Sequence, residues 1–535
     1  MASRRDELNA YTFARKRMVG AFLQPVGGGS DEDAPRPIRA VVPSLVVAAV
    51  LVAGFGAWGL LKPTAPKGWD SGNDIILGKD STTRYVVLTS ADGTKMLHPV
   101  LNMASAKLVL PANSKVVIVA DSAIDAYKSH GPTIGIPYAP DKLPSAADAG
   151  VAKKWSVCDR PGSDAAHPNQ AVFVAAGADA AMLDRPDHRL SGGQVLWVQG
   201  TAQNGAAGTQ YLVDAGGRKH PIGTPAMSGD QRIALQLALF GDGAAPQPVS
   251  NEWLNTLPAA SAITFPQVPG TGQQQVPSAV QLTDPGQRFV GQLVTFQSDP
   301  SAQVNYFVVG QGQLYRVSQF QAELIRENPS TQQYAYGGHA PTYGAITPAD
   351  NARYLQTSTA LGGDDQWPQS KPGTSVNAGG SADSAPRQVI CSTFEGMAAD
   401  GSGNQVVQQS VWAGTEYPAA ATPGLTSAYV SPGHGLFYRA MDNGTGGSGS
   451  DFLLTDTGLR YSVPATSEGT VAGASPSPSP NPSAAAQPAQ PQTNEAQARL
   501  GYPGTTPVPV PKSWSDLVPA GPELNTNAAT QVQNS

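Results

Sequence analysis

The sequence is short of charge and almost without cysteine. Of its 535 residues only 14% are charged and two are cysteines, with 34 Lys and Arg against 40 Asp and Glu. The net charge of −6 argues against a nucleic-acid-binding protein, because such proteins neutralise phosphates with clustered basic residues. The 58 glycines and 47 prolines exclude long helical bundles and favour short strands, tight turns and linkers. A hydrophobic content of 40% nevertheless allows a sizeable core.

Motifs that carry catalysis are also missing from the sequence. No G-x-x-x-x-G-K-[ST] string occurs, so the loop that cradles phosphates and positions Mg²⁺ in many nucleotide hydrolases is absent. No Cys–His or carboxylate spacing is typical of a metal site, and no Ser/His/Asp grouping stands out. His98 and His220 each precede a proline at the end of a strand, and this repeated position indicates an architectural role. The sequence therefore predicts no catalytic, cofactor-binding or metal-binding residues.

One long apolar run stands near the start of the chain. Residues 40–61 are 22 residues without charge, bracketed by Arg39 and Lys62. As a helix this run would measure about 33 Å, enough to cross the hydrocarbon core of a bilayer. Residues 1–39 carry seven Lys and Arg. The positive-inside rule then predicts a single-pass membrane anchor, with a cytoplasmic amino terminus and an extracytoplasmic remainder.

The basic arm before this run has the pattern of a helix. Ser3 and Asp6 resemble a capping box, and Pro25 would end the helix. A set of side chains recurs at helical spacing: Leu8, Tyr11, Arg15, Met18 and Phe22. Two interpretations remain open, an amphipathic helix lying on anionic lipid and a helix that docks a cytoplasmic partner.

The two cysteines, Cys158 and Cys391, both follow the predicted span. An even number of cysteines in an oxidising compartment favours one disulfide bond, and two buried free thiols are the alternative. A bond between these positions would close a very long loop. The chain-entropy model gives at most about 5 kcal/mol of stabilisation for it.

Several segments of the outer part occur twice in the same order. WSVCDRPGSDAAHPNQAVFV (155–174) matches QVICSTFEGMAADGSGNQVVQQ (388–409), and YVVLTSADGTKMLHPV (85–100) matches YFVVGQGQLYRVS (306–318). VSNEWLNTLPAASAI similarly matches VPKSWSDLVPAGPEL, which begins at Val510. Each unit reads as a hairpin, and some are followed by a short helix and a proline. The pattern predicts an internal duplication, with chance matching of hairpins in a glycine-rich chain as the alternative.

The chain resembles the EccB family, membrane components of actinobacterial type VII secretion systems. The motifs that carry the resemblance are MASRRDELNAYTFARKR at the start, GPTIGIPYAPDKLP (131–144), WSVCDR (155–160), DAGGRKHPI (214–222) and VPAGPEL (518–524). The resemblance implies an α+β, β-rich fold with one amino-terminal transmembrane helix. An elongated extracytoplasmic region would follow, with four small repeat domains around a central β domain in quasi-two-fold arrangement. The family's paired cysteines match Cys158 and Cys391.

The resemblance and the sequence pattern together predict nine segments and two inserts. They are a cytoplasmic arm (1–39), a transmembrane helix (40–61), repeat 1 (70–120), the first part of the central domain (121–207), repeat 2 (208–265), repeat 3 (286–341), the second part of the central domain (342–448) with a flexible insert (362–386), repeat 4 (449–525) with a Pro/Ser/Ala insert (473–493), and a tail (526–535).

The function implied by the resemblance is that of a scaffold in the secretion membrane complex. Its partners would be subunits of the EccC, EccD and EccE types in a multimeric assembly that exports small helical proteins of the WXG type. No cofactor and no nucleic acid is expected. Two alternatives are a cell-wall-binding anchor and an extracytoplasmic ATP hydrolase. EccB-like proteins are sometimes described as ATPases, but the missing phosphate-binding loop argues against an enzyme.

Overall fold

The computed structural model describes most of the chain and divides it into two compact units. The described residues are 4–23, 38–61 (backbone alone at 38–40 and 56–61), 65–90, 92–164, 167–202, 205–284, 286–354, 357–363, 366–373, 375–378, 386–399, 401, 405–420, 428–441, 449–464 and 494–533. The first unit comprises residues 1–69, 78–82 and 117–128, and the second contains the rest. The mixed α+β, β-rich class that the family resemblance implies is confirmed.

The helices are short apart from the first two. They are α1 (Arg4–Leu23), α2 (Ile38–Leu61), α3 (Met103–Val109), α4 (Asp121–Asp125), α5 (Ala146–Ala149), α6 (Gly177–Leu183), α7 (Gly229–Phe240), α8 (Asn251–Asn255), α9 (Gln319–Glu327), α10 (Pro348–Tyr354), α11 (Glu495–Leu500), α12 (Lys512–Ser515) and α13 (Thr526–Ala529). One π-helical turn spans Thr331–Ala335.

The strands are also short, as the glycine and proline content indicates. They are β1 (Ile75–Gly78), β2 (Arg84–Thr89), β3 (Lys95–Val100), β4 (Val116–Val119), β5 (Lys154–Arg160), β6 (Asn169–Ala175), β7 (Leu196–Gly200), β8 (Gln210–Val213), β9 (Lys219–Pro221), β10 (Gln247–Val249), β11 (Leu293–Phe296), β12 (Asn305–Val309), β13 (Leu314–Val317), β14 (Tyr343–Ala345), β15 (Thr359–Ala360), β16 (Val389–Ala399), β17 (Gln405–Gly414), β18 (Tyr429–Val430), β19 (Leu436–Met441), β20 (Gly449–Leu454), β21 (Arg460–Val463) and β22 (Val508–Pro511).

The first unit contains the two long helices. In α1, Asp6 and Glu7 lie in the first turn, where negative charge is favourable, and none of its residues is buried. Helix α2 contains the charge-free run and has Pro43 inside it. The described side chains of α2, residues 41–55, are all exposed. Within the part of the chain that the structure describes with its side chains, no helix is long and apolar enough to cross a membrane.

In the second unit, β1, β2 and β3 form an antiparallel meander, which we call the first sheet. The turn between β2 and β3 contains Asp92, whose carboxylate accepts a hydrogen bond of 2.9 Å from the amide of Thr94. The next residue, Gly93, has a φ of 84°, which favours glycine. This is the Asp-Gly hairpin that the sequence predicts.

Three further sheets share one strand order. The second sheet has the order β10-β7-β8-β9 and the fourth β21-β20-β19-β22, and the third, β14-β11-β12-β13-β15, adds one strand at its end. In each, three consecutive strands form an antiparallel meander, and a later strand pairs in parallel with the first of them.

Two predicted domain boundaries cut through these sheets. Strand β7 pairs with β8 across the predicted boundary between residues 207 and 208. Strand β19 likewise pairs with β20 across the boundary between residues 448 and 449. Each of these predicted repeats thus begins at the second strand of its sheet, because a long connection without a tight hairpin signal separates the first two strands. The division into nine segments remains a prediction.

The central sheet has the order β17-β16-β5-β6-β18. It consists of two hairpins, β5–β6 and β16–β17, that meet along β5 and β16. One hydrophobic cluster connects this sheet with the second and fourth sheets. Trp253 on α8 and Trp514 on α12 both lie in this cluster and are 0% and 1% exposed. They are the two tryptophans of the duplicated helix-and-proline segments.

The two predicted inserts have different outcomes. The segment 473–493 lies outside the described residues. Parts of 362–386 are packed rather than free, since Trp367, Ser375, Asn377 and Ala378 are buried. The side chain of Asn377 accepts a 3.0 Å hydrogen bond from the amide of Trp197 and donates one of 3.0 Å to its carbonyl. A polar glycine-rich segment can pack in this way when its amide side chains satisfy a strand edge.

Helix α7 offers a matched test of the core. Leu235 is 0% exposed and Leu237 is 47% exposed on the same helix. We expect Leu235→Ala to lower the free energy of unfolding by about 2–5 kcal/mol, because it leaves a cavity. Leu237→Ala should change it by at most about 0.5 kcal/mol. Urea unfolding followed by tryptophan fluorescence measures both, and equal losses would contradict this packing.

Candidate functional site

The two cysteines face each other on neighbouring strands of the central sheet. Cys158 on β5 lies directly opposite Cys391 on β16, in antiparallel register. The structure contains the disulfide between them, with 4.0 Å between the two Cα atoms. Both residues are 0% exposed. The predicted disulfide is confirmed, and it joins positions 233 residues apart.

Apolar side chains cover one side of this bond. Phe173, Val389 and Trp412 form a buried cluster with the two cysteines. Polar groups beside the bond are hydrogen-bonded, since the Ser156 and Thr393 hydroxyls are 3.0 Å apart. The disulfide is therefore buried among packed side chains, several of which belong to the two strands that it joins.

Asp159, the next residue after Cys158, is a buried carboxylic acid. It is 0% exposed. One carboxylate oxygen accepts hydrogen bonds from the amide and the hydroxyl of Ser250, at 2.6 and 2.7 Å. Burial raises the pKa of Asp159 to about 6, although the bonds from Ser250 act to lower it. Ser250 also caps α8, where its hydroxyl accepts a 3.1 Å hydrogen bond from the amide of Trp253.

A network of charges spans the same two strands near their other end. The Lys154 ammonium on β5 contacts the Glu395 carboxylate on β16, and Asp184 at 3.0 Å. Glu395 also accepts a 2.7 Å hydrogen bond from the Ser410 hydroxyl. Burial would lower the pKa of Lys154, but the hydrogen bonds and charges of both carboxylates raise it overall. The network adds a polar contact between the halves of the chain.

The repeated histidines have structural surroundings. Nδ1 of His98 lies 3.0 Å from the carbonyl oxygen of Pro132, and Nδ1 of His220 lies 3.0 Å from that of Ser261. Each ring thus contacts a backbone segment beside the third strand of its sheet. These contacts agree with the architectural role predicted for both residues.

The five arm residues belong to the first unit, whereas both cysteines belong to the second. All of them are on α1, in the first unit, and their side chains are exposed: Leu8, Tyr11, Arg15, Met18 and Phe22. The exposed fractions of Leu8 and Phe22 are 64% and 89%. Helix α1 therefore presents apolar side chains on its surface.

Sequence reasoning missed two features of the second unit. Asp159 lies on β5 next to Arg160, in a strand that also contains Lys154 and Ser156, so no local pattern marked it as a buried acid. The other feature is a cavity beside the π-helical turn, whose walls come from four separate segments. No local pattern could have indicated it. Among the described residues, no three His, Cys, Asp or Glu side chains gather into a metal-binding group.

Two solved structures of ESX complexes contain a chain with this fold. A chain of an intact ESX-5 inner membrane complex is similar with a TM-score of 0.58 and 20% identity, covering 100% of this chain and 96% of that chain. The EccB3 dimer from the ESX-3 core complex is similar with a TM-score of 0.55 and 23% identity, covering 86% and 100%. The chain therefore shares the multi-sheet fold of these two proteins.

The sequence comparisons agree. The chain is 28% identical over 516 residues to the ESX-3 secretion system ATPase EccB3 of Mycolicibacterium smegmatis, covering 92% of this chain and 83% of the relative. It is 26% identical over 502 residues to the protein of the same name from Mycobacterium tuberculosis, covering 91% and 81%. The family described as "Type VII secretion system ESX-1, transport TM domain B" matches residues 1–535. The chain belongs to this family, the EccB family, as its motifs predict.

The disulfide can be tested by a mutant cycle. Cys158→Ser should lower the free energy of unfolding by up to about 5 kcal/mol, because the unfolded chain loses its covalent loop. The double variant Cys158→Ser, Cys391→Ser should be only slightly less stable than either single variant, since the bond is already absent. Chemical unfolding under non-reducing conditions measures all three. Mass spectrometry that finds both thiols free in native protein would contradict the structure.

The buried acid predicts a pH dependence of stability. The pKa of Asp159 is raised from 3.8 to about 6 in the folded protein. The folded state therefore retains this proton over a range where the unfolded state releases it, so its contribution to stability falls as pH rises from about 4 to about 6. The full change is about 3 kcal/mol.

Asp159→Asn should remove this dependence, and Asp242→Asn, at an exposed position, should retain it. The free energy of unfolding is measured for both variants and the parent chain from pH 4 to 7. Parallel pH profiles for the parent chain and Asp159→Asn would be evidence against the raised pKa.

Proposed function

We propose that the chain is a scaffold subunit of a type VII secretion membrane complex. The observation that carries this proposal is the covalent pairing of β5 with β16, which closes 233 residues of chain around one sheet. The hydrophobic cluster on this sheet also includes residues of the second and fourth sheets. A covalently closed and packed core of this kind suits a subunit that keeps several binding surfaces at fixed positions relative to one another.

The second part of the proposal concerns the membrane. Segment 40–61 would anchor the chain, with the basic residues before it in the cytoplasm and the second unit outside. The support is the absence of charge in this segment and the exposed apolar side chains of α2 from Val41 to Phe55. The buried disulfide fits an oxidising, extracytoplasmic compartment.

The third part concerns the internal duplication. The chain would consist of four repeats around a central domain, related by a quasi-two-fold axis. The common order of the second, third and fourth sheets supports the repeats. The antiparallel pairing of β5 with β16, with cysteine opposite cysteine, supports the axis, because equivalent strands related by a two-fold axis between them run antiparallel.

The fourth part concerns partners and activity. Subunits of the EccC, EccD and EccE types would surround the chain, and small helical proteins of the WXG type would be the exported substrates. Relatives bear the name ATPase. The function proposed here involves no ATP hydrolysis by this chain, since its sequence has no phosphate-binding loop.

Helix α1 would dock a cytoplasmic subunit through its exposed apolar residues. Replacing Leu8, Tyr11, Met18 and Phe22 together by Ala should release the chain from the complex while it stays in the membrane fraction, because the apolar contact area is lost. Native co-purification on a tag after Ser535 measures the association. A control variant replaces Asn9 and Thr12 of the same helix by Ala and should co-purify normally.

The outcomes separate the two interpretations of the arm from the scaffold proposal. Loss of the chain from the membrane fraction, or intact assembly in the fourfold variant, would contradict partner docking by α1. If the unmodified chain co-purified with no other secretion subunit, the scaffold proposal itself would be wrong.

A further inference from the structure

A cavity of about 410 Å³ lies in the second unit, where the chain passes from the second sheet to the third. Its walls come from four segments, residues 224–231, 264–274, 290–291 and 328–335. The volume is within the range of small-molecule sites, about 300–1,000 Å³. Neither the scaffold proposal nor the sequence motifs account for this cavity.

The lining is polar and uncharged. None of the 19 residues that line the cavity is Asp, Glu, Lys, Arg or His, and Tyr334 is the one among them with a titratable side chain. A phosphate, nucleotide or carboxylate ligand would therefore enter without a countercharge, at a large desolvation cost. The chemistry of the walls selects a neutral ligand.

Hydrogen-bonding groups remain available on the walls. Among the described residues, the hydroxyls of Thr224, Thr264 and Tyr334 have no protein hydrogen-bond partner. The side-chain amide of Gln267 donates a 3.2 Å bond to the carbonyl of Phe265, so its oxygen is left to accept. Hydroxyls that both donate and accept, together with a carboxamide, match a ligand rich in hydroxyl groups.

The walls are held in place by their own hydrogen bonds. Gln292 and Gln275 donate to the carbonyl of Ala335 at 3.2 and 3.4 Å, at the end of the π-helical turn that carries Tyr334. Gln231, another lining residue, forms the capping box of α7 with Ser228. A π-helical turn is rare and often occurs at functional sites. The cavity is thus pre-formed.

The lining also separates two kinds of neutral ligand. None of the lining residues belongs to a β-strand, so an extended peptide would find no strand edge with which to pair. An aromatic ring at Tyr334 and apolar side chains such as Met227 and Val290 can instead cover the C–H faces of a sugar ring, while the hydroxyls and amides meet its edges. We propose that this cavity binds a neutral saccharide.

The test uses the full chain in detergent and three probes. They are a neutral trisaccharide of N-acetylglucosamine, one of glucose, and a tetrapeptide of neutral residues with blocked termini. Calorimetric titration should detect binding of at least one trisaccharide and none of the peptide. The comparison of the two sugars establishes whether the amide groups of the cavity recognise an acetamido group or only ring hydroxyls.

Variants assign the binding to this cavity. Tyr334→Ala should weaken saccharide binding at least tenfold, and Thr224→Val, which removes one hydroxyl at nearly constant volume, should weaken it several-fold. The control Tyr138→Ala removes an aromatic ring that is 88% exposed and lies outside the cavity, and it should bind as the parent chain does. Melting temperatures establish whether the variants are folded. If Tyr334→Ala does not fold, the comparison of Thr224→Val with the parent chain tests the proposal.

Three results would overturn the proposal. They are the absence of binding for both trisaccharides, saccharide binding that folded cavity variants leave unchanged, and binding of the blocked peptide as tight as that of the sugars. None of these results bears on whether the chain co-purifies with other secretion subunits, so the scaffold proposal is tested separately.

Discussion

The antiparallel pairing of β5 with β16 is the interaction on which the rest of the structure depends. It sets cysteine opposite cysteine and so makes the disulfide possible. The same strands carry Trp155 and Phe394, whose rings lie 5.4 Å from Tyr438 and 5.9 Å from Trp514 of the fourth-sheet region. A change of register by one residue would turn these side chains to the opposite face of the sheet. One pairing therefore determines both the covalent bond and the core around it.

The polar groups near this pairing extend its effect. Asp159 connects the central sheet to the start of α8 through Ser250, and α8 carries the buried Trp253. A buried carboxyl is costly unless it is hydrogen-bonded. Because Ser250 supplies these bonds, the start of α8 must lie next to Asp159. Rigid relations of this kind are what a scaffold needs. We propose that other molecules bind at the exposed apolar surface of α1 and in the neutral cavity of the second unit.

Much of the local structure was predictable because its causes are local. The Asp92–Gly93 hairpin follows from a two-residue turn signal, and the equivalent contacts of His98 and His220 follow from their repeated positions before proline. The sequence pattern separates the first strands of the second and fourth sheets from their partners, because long connections join β7 to β8 and β19 to β20. The packing of Trp367 and Asn377 was missed because it depends on a strand edge far away in sequence.

By itself the sequence determined the family, the mixed and β-rich class, and the pair of residues that the disulfide joins, because composition, motifs and an even cysteine count require no knowledge of distant contacts. Only the tertiary structure decided the register of β5 on β16, the burial of Asp159 and the cavity beside Tyr334. Each of these arises where segments from separate parts of the chain meet. Such meetings depend on the summed packing of many side chains rather than on any one local pattern.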